Sequence, residues 1–136
     1  MIFNSLANFK SLSVSGGFGK DGDCDLSGID GGFSQYIRLL FIMQCLTTDE
    51  ATCSWNDAGL PDMHALTWNS SNSFANGAYY RFYTQIGYCN EFIRKAKESS
   101  LSAEEFPSKA RLIAEARALR ALTYLHVIDI FGNGSF

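Results

Sequence analysis

The chain has little of what marks most catalytic, membrane-spanning or nucleic-acid-binding proteins. Its 136 residues include only 2 prolines and 2 histidines, and its net charge is −3. No apolar run approaches the roughly 20 residues that a membrane-spanning helix needs. The absence of a basic patch argues against nucleic acid as a partner. The first residues show no charged segment followed by an apolar one, so no signal peptide is visible.

Motifs for catalysis and metal binding are missing as well. There is no nucleophile elbow, phosphate loop or dinucleotide fingerprint, and the carboxylates are scattered without a pattern. The cysteines at positions 24, 45, 53 and 89 are too far apart for a zinc motif. We therefore expect no enzymatic activity, no cofactor and no metal site. The cysteines are expected to be unpaired, with a Cys24–Cys53 disulfide as the alternative.

What the sequence does contain is helical patterning and many aromatic residues, which make up 14% of the chain. Apolar residues recur at helical spacing in two regions, and these are separated by glycine-rich or irregular stretches. The pattern predicts an all-α fold with a loop at 16–33, a helix at 34–47, a loop at 48–74 and a helical hairpin at 75–131. A short link at 99–106 should make the two hairpin helices antiparallel neighbours.

Each predicted helix has an apolar stripe that should face the core. The three stripes are Ile37, Leu40, Phe41, Cys45 and Leu46; Tyr79, Phe82, Tyr83, Ile86, Cys89, Asn90, Ile93 and Ala96; and Ala110, Ile113, Ala114, Ala121, Tyr124, Leu125 and Ile128. Asn90 would be a buried amide, so we expect it to bond to a neighbouring backbone group.

The helix ends carry recognisable signals. Ser34 is a plausible N-cap for the first helix. Ser102 and Glu105 have the spacing of a capping box, which would place Pro107 at the first position of the last helix. Gly132 tolerates the left-handed conformation that ends a helix, so the last helix should stop there.

The predicted loop at 48–74 carries both tryptophans of the chain. A connection of this length without regular structure is uncommon in a compact domain and is usually functional. Trp68 is expected to anchor the loop on the helices. For Trp55 the sequence leaves two alternatives open, an anchor of the same kind or a platform for a ligand. His64 is expected to be a hydrogen-bonding loop residue.

Four stretches, in this order and at this spacing, resemble the SusD/RagB family of Bacteroidetes nutrient-uptake lipoproteins. They are Leu46–Ala51 (Leu-Thr-Thr-Asp-Glu-Ala), Trp55–Asp57 (Trp-Asn-Asp), the Tyr-Arg-Phe-Tyr and Cys-Asn residues within 80–93, and the Ala-Glu-Ala-Arg to Phe-Gly-Asn residues within 114–133. The resemblance covers the chain from about residue 28 to its end.

The resemblance implies tetratricopeptide-like helix pairs with a long irregular ligand-binding loop. It implies a non-catalytic protein that is lipid-anchored on the outer face of the outer membrane. Such a protein binds a glycan, starch-like or another polysaccharide, and delivers it to a SusC-type TonB-dependent transporter. Because members of the family are several times longer, the chain is expected to be an N-terminal section that is incomplete at both ends. The alternative is a helical protein-interaction module at the outer membrane without direct glycan binding.

Matching the family pattern residue by residue gives a candidate glycan site. Asp30 and Arg38 would hydrogen-bond sugar hydroxyls, and Trp55 would stack on the apolar face of a sugar ring. Asn56 and Asp57, next in the chain, are further candidates.

Overall fold

The computed structural model describes residues 35–134, and every regular element in that range is an α-helix. The all-α class predicted from the sequence is therefore confirmed for this part of the chain. These residues group into two compact units, 35–81 and 82–134. The helices are α1 (Tyr36–Cys45), α2 (Leu60–His64), α3 (Ser73–Glu98), which continues from the first unit into the second, and α4 (Lys109–Phe131).

Helix α1 buries a different face from the one predicted. The predicted loop at 16–33 and the N-cap Ser34 lie outside the described residues. The buried side chains are Tyr36, Leu39, Ile42 and Met43, followed by Leu46 beyond the helix end. In the predicted stripe, Ile37 and Phe41 are instead exposed, Phe41 by 63%. Apolar residues occupy nearly every position of this helix, so periodicity does not select a face and tertiary packing decides.

The connection between α1 and α3 contains a short helix, α2, where the sequence predicted only a loop. Leu60 and Met63 anchor it, since both side chains are buried. Pro61 lies in its first turn, where the missing N–H of proline costs nothing. Trp68, the predicted anchor, is 37% exposed, so that prediction is wrong. The aliphatic side chains of Leu60 and Met63, on one turn of helix, anchor the connection instead of Trp68.

The buried Asn72 joins the start of α3 to the start of α2. Its Oδ1 accepts hydrogen bonds from the N–H groups of Phe74 at 2.9 Å and Ala75 at 3.3 Å, the geometry of a helix N-cap. Its Nδ2 donates to the carbonyl oxygen of Gly59 at 2.8 Å. Gly59 has φ +90°, and a Cβ there would lie 2.8 Å from Nδ2 of Asn72. Glycine is therefore needed at position 59 for both its conformation and its size.

The predicted stripe of α3 is largely correct. Its buried members are Phe82, Ile86, Cys89, Ile93 and Ala96. Tyr79 is exposed instead, and Asn90 is not a buried amide. The Asn90 side chain is exposed and accepts a hydrogen bond from Nη1 of Arg120 at 2.6 Å, so the expected backbone partner is wrong. A side chain from the next helix replaces it.

Within the second unit, the C-terminal part of α3 runs antiparallel to α4. The pairs that establish this are Phe82 with His126 and Phe131, Asn90 with Arg120, and Ser99 with Lys109. The ring centroid of Phe82 lies 6.2 Å from each of its two partners, within the range of favourable aromatic pairs. Residues that come later along α3 thus pair with residues that come earlier along α4, as antiparallel helices require.

The capping box of Ser102 and Glu105 is present but closes a separate turn in the link. The Ser102 N–H donates to the Glu105 carboxylate at 2.9 Å, and the Glu105 N–H donates to the Ser102 hydroxyl at 3.2 Å. Hydrogen bonding from the Ser102 backbone, and then from its side chain, lowers the pKa of Glu105. Helix α4 begins only at Lys109, after the N-cap Ser108, so the predicted start at Pro107 is two residues early.

Helix α4 also turns a different face inward from the one predicted. Its buried side chains are Ala116, Thr123 and Val127. Leu125, predicted to fill the core, is 60% exposed, and Ile128 is exposed as well. Apolar residues of α4 occur on every side of the helix, so the sequence pattern is compatible with several buried faces. The helix ends as predicted, with Gly132 at φ +68° and its N–H bonded to the Ile128 carbonyl at 2.8 Å.

The cysteines that the structure describes, at positions 45, 53 and 89, are free thiols. Because Cys53 is a free thiol, the alternative disulfide between Cys24 and Cys53 is wrong. Cys24 itself lies outside the described residues. Burial raises the pKa of the Cys89 thiol, against a hydrogen bond from Gln85 and the positive charge of Arg120, which both lower it.

Candidate functional site

The candidate site is built on α1 and on the extended segment that follows it. Trp55 lies in this segment, which has no regular structure from Ala51 to Asp57. The far end of the segment is fixed where the Leu60 N–H donates to the Asp57 carbonyl at 2.9 Å. The hydrogen bond from Asn72 to Gly59 holds the same turn. The segment has no helix or strand, but these two hydrogen bonds fix its backbone within a few residues of Trp55.

Arg38 and Trp55 come together in the structure. The guanidinium carbon of Arg38 lies 5.9 Å from the centroid of the Trp55 ring, at the limit of a cation–π contact. Trp55 is 53% exposed, so it is not the anchor that one of the two alternatives required. An indole that is half open to solvent keeps ring surface available for a partner.

The two side chains line a shallow open pocket of about 250 Å³. The rest of its wall is mainly apolar, formed by Phe41, Ile42, Leu46, Ala51, Thr52, Cys53 and Leu60. A sugar ring has an apolar C–H face and hydroxyl groups at its edge. An aromatic ring beside an arginine offers a surface for the first and hydrogen-bond donors for the second.

The other residues of the predicted site are placed less clearly. Asp30 lies outside the described residues. Asn56 and Asp57 have exposed side chains next to Trp55, and Asp57 has a local structural role through its backbone carbonyl. Neither of them lines the pocket. The assignment of all five residues to a glycan remains a prediction.

Phe41 is a pocket residue that the apolar pattern of α1 predicts to be in the core. It is the most exposed of the large apolar side chains that the structure describes. Its spacing from Arg38, three positions along α1, places both residues on one side of the helix. This spacing is the sequence feature that indicates a place for Phe41 beside Arg38. Phe41 also belongs to the apolar stripe, however, and the stripe predicts a buried side chain.

Metal and membrane features are absent from the described range. Within residues 35–134, no group of three or more His, Cys, Asp or Glu side chains could hold a metal ion. None of the four helices has the length and apolar character to cross a membrane.

Comparison with known proteins gives one informative match. The chain is 33% identical over 129 residues to the starch-binding protein SusD of Bacteroides thetaiotaomicron. The alignment covers 94% of this chain and 22% of that relative. No family model matches the chain, and no solved structure matches it. The alignment includes nearly every residue described above, and the chain is therefore SusD-like in sequence over almost its whole length.

Proposed function

We propose that the chain contributes to non-catalytic binding of a glycan in nutrient uptake. The observation that carries this proposal is the Arg38–Trp55 pair, with its half-exposed indole at the edge of an open pocket. The similarity to a starch-binding protein supports the choice of ligand class, and it makes starch-like α-glucans the first substrates to test.

The chemistry of the site suits weak and reversible capture. Trp55 stacks on the apolar face of a sugar ring, and Arg38 donates hydrogen bonds to hydroxyl groups at the edge of the ring. Phe41 extends the apolar surface along α1. Asp30, Asn56 and Asp57 complete the proposed set of polar contacts. One such site gives a dissociation constant in the micromolar to millimolar range, roughly 4–8 kcal/mol of binding free energy.

The cellular setting is part of the same proposal. The glycan is passed to a SusC-type TonB-dependent transporter, and the intact protein is held on the outer face of the outer membrane by a lipid anchor. The helices of the second unit form a tetratricopeptide-like pair. These points rest on the similarity to SusD and to its family.

Affinity electrophoresis tests the binding site directly. The chain is run in native gels that contain amylopectin, or one other polysaccharide each, beside a protein that binds none of them. We expect amylopectin to retard the chain and Trp55→Ala to lose at least tenfold in affinity. Arg38→Gln, which removes the charge beside the indole, should be weakened as well.

Trp68→Ala is the matched control. It removes the other tryptophan, which is also exposed but does not line the pocket. It should be retarded like the unmodified chain. Equal losses in Trp55→Ala and Trp68→Ala would refute the assignment of the site. A chain that no polysaccharide retards, while its helical circular dichroism is intact, would refute glycan binding and favour a protein-interaction module.

A further inference from the structure

A second pocket lies in the second unit, apart from the residues of the Arg38–Trp55 site. It has a volume of about 530 Å³, which is large enough for a sugar residue. Its lining residues are Asn90, Arg117, Arg120, Ala121 and Tyr124. Four of these are on α4 at positions i, i+3, i+4 and i+7, which is the spacing of one helix face. The small side chain of Ala121 leaves the space between the longer ones unfilled.

Within the described residues, neither of the two arginines of this pocket, Arg117 and Arg120, forms an ion pair with a carboxylate. Arg120 donates from Nη1 to the neutral Oδ1 of Asn90 at 2.6 Å, which leaves most of its five N–H donors for other contacts. Two guanidinium groups on one pocket repel each other, and an anion between them removes that repulsion. Their planar donor arrangement matches a carboxylate.

The other two arginines of the second unit are paired with acids. Arg111, on the same helix, lies 3.3 Å from the carboxylate of Glu115. On α3, Arg94 bonds to the carboxylates of Glu91 and Glu98 at 2.8 and 2.7 Å. The second unit thus pairs its surface arginines with acids elsewhere but not at this pocket.

We propose that this pocket binds an acidic sugar, with the carboxylate of a uronate held by Arg117 and Arg120. Asn90 and the hydroxyl of Tyr124 provide the polar groups that hold the sugar ring. That the anion is carried by a sugar rests on the function proposed above, whereas the preference for a carboxylate rests on the two arginines alone. The pocket gives the chain a second subsite, which selects charged glycans.

The test compares a charged sugar with its neutral counterpart. Trigalacturonate and its fully methyl-esterified form, which has the same rings without the charges, are titrated into the chain by calorimetry. We expect the acid to bind about tenfold or more tightly than the ester. Arg117→Gln should abolish this preference, since it removes a charged donor that has no structural partner in the described residues.

Arg111→Gln is the matched control, because it removes the same charge from the same helix outside the pocket. It should keep the preference for the acid, and equal losses in the two variants would overturn the proposal in favour of unspecific attraction. Equal binding of the acid and the ester would overturn it as well. Competition by inorganic phosphate or acetate at the affinity of trigalacturonate would show a general anion site and overturn the assignment to a sugar.

Trp55→Ala separates this inference from the function proposed for the first site. It should leave the binding of trigalacturonate unchanged while amylopectin binding is lost. Loss of amylopectin binding in Arg117→Gln, with trigalacturonate binding unchanged, would overturn the second subsite alone.

Discussion

Asn72 bonds to both the turn at Gly59 and the first turn of α3, and its replacement gives a sharp test of how the structure around the first site is held. Asn72→Ala removes the N-cap of α3, a change that costs about 1 kcal/mol in folded proteins. It also removes the donor to the partly buried carbonyl of Gly59, which adds about 1–2 kcal/mol. We expect the free energy of unfolding to fall by roughly 2–3 kcal/mol.

Two further variants separate the contributions of the cap and of the amide donor. Asn72→Asp keeps an oxygen for the N–H groups of Phe74 and Ala75 but cannot donate to Gly59, so it should lose about half as much. Asn69→Ala removes a similar but exposed contact, in which Oδ1 accepts from the Ser71 N–H at 2.8 Å, and should cost less than about 1 kcal/mol.

Urea unfolding followed by circular dichroism at 222 nm measures all three variants. A loss in Asn72→Ala no larger than that in Asn69→Ala would refute the reasoning. Equal losses in Asn72→Asp and Asn72→Ala would assign the whole effect to the amide donor and none to the cap. Because the Gly59 carbonyl lies four residues after Trp55, Asn72→Ala should also weaken retardation by amylopectin.

Four further predictions use the same unfolding assay. Gly59→Ala should destabilise the chain by about 1–3 kcal/mol, because alanine is strained at φ +90° and its Cβ meets Asn72. Gly87→Ala, in the interior of α3 with no atom within 4 Å of the added Cβ, should instead stabilise it by about 0.5–1 kcal/mol. Leu39→Ala should cost about 2–5 kcal/mol and Phe41→Ala less than about 1, the reverse of what the sequence pattern suggests; a larger loss for Phe41→Ala would contradict the observed face of α1. Burial lowers the pKa of His126 below its ordinary 6.5, so the folded state binds fewer protons than the unfolded state. Stability should therefore decrease as the pH falls from 7 through 6.5 toward the lowered pKa, and His126→Gln should flatten that part of the profile; an unchanged slope would contradict the assignment.

The candidate site illustrates how far the sequence leads. Trp55 and Arg38 were selected by their match to a family pattern, and the structure places the two side chains within cation–π distance. Their proximity could not be derived from the residues alone, because seventeen positions separate them and the chain leaves α1 at Cys45 and reaches Trp55 through a stretch without helix or strand. Phe41 was not predicted as a site residue, because an apolar residue on a largely apolar helix is expected to be buried in the core. Burial, which decides between the two interpretations, is a property of the folded chain.

The sequence by itself determined that the described part of the chain is helical and where α4 ends. These features depend on contacts between residues within a few positions of each other, namely helical periodicity and the left-handed conformation of Gly132. Tertiary structure alone decided which faces of α1 and α4 are buried. It also decided that Asn90 meets Arg120. On helices with apolar residues all round, several faces can enter the core at similar cost, and only the shape of the neighbouring elements selects among them.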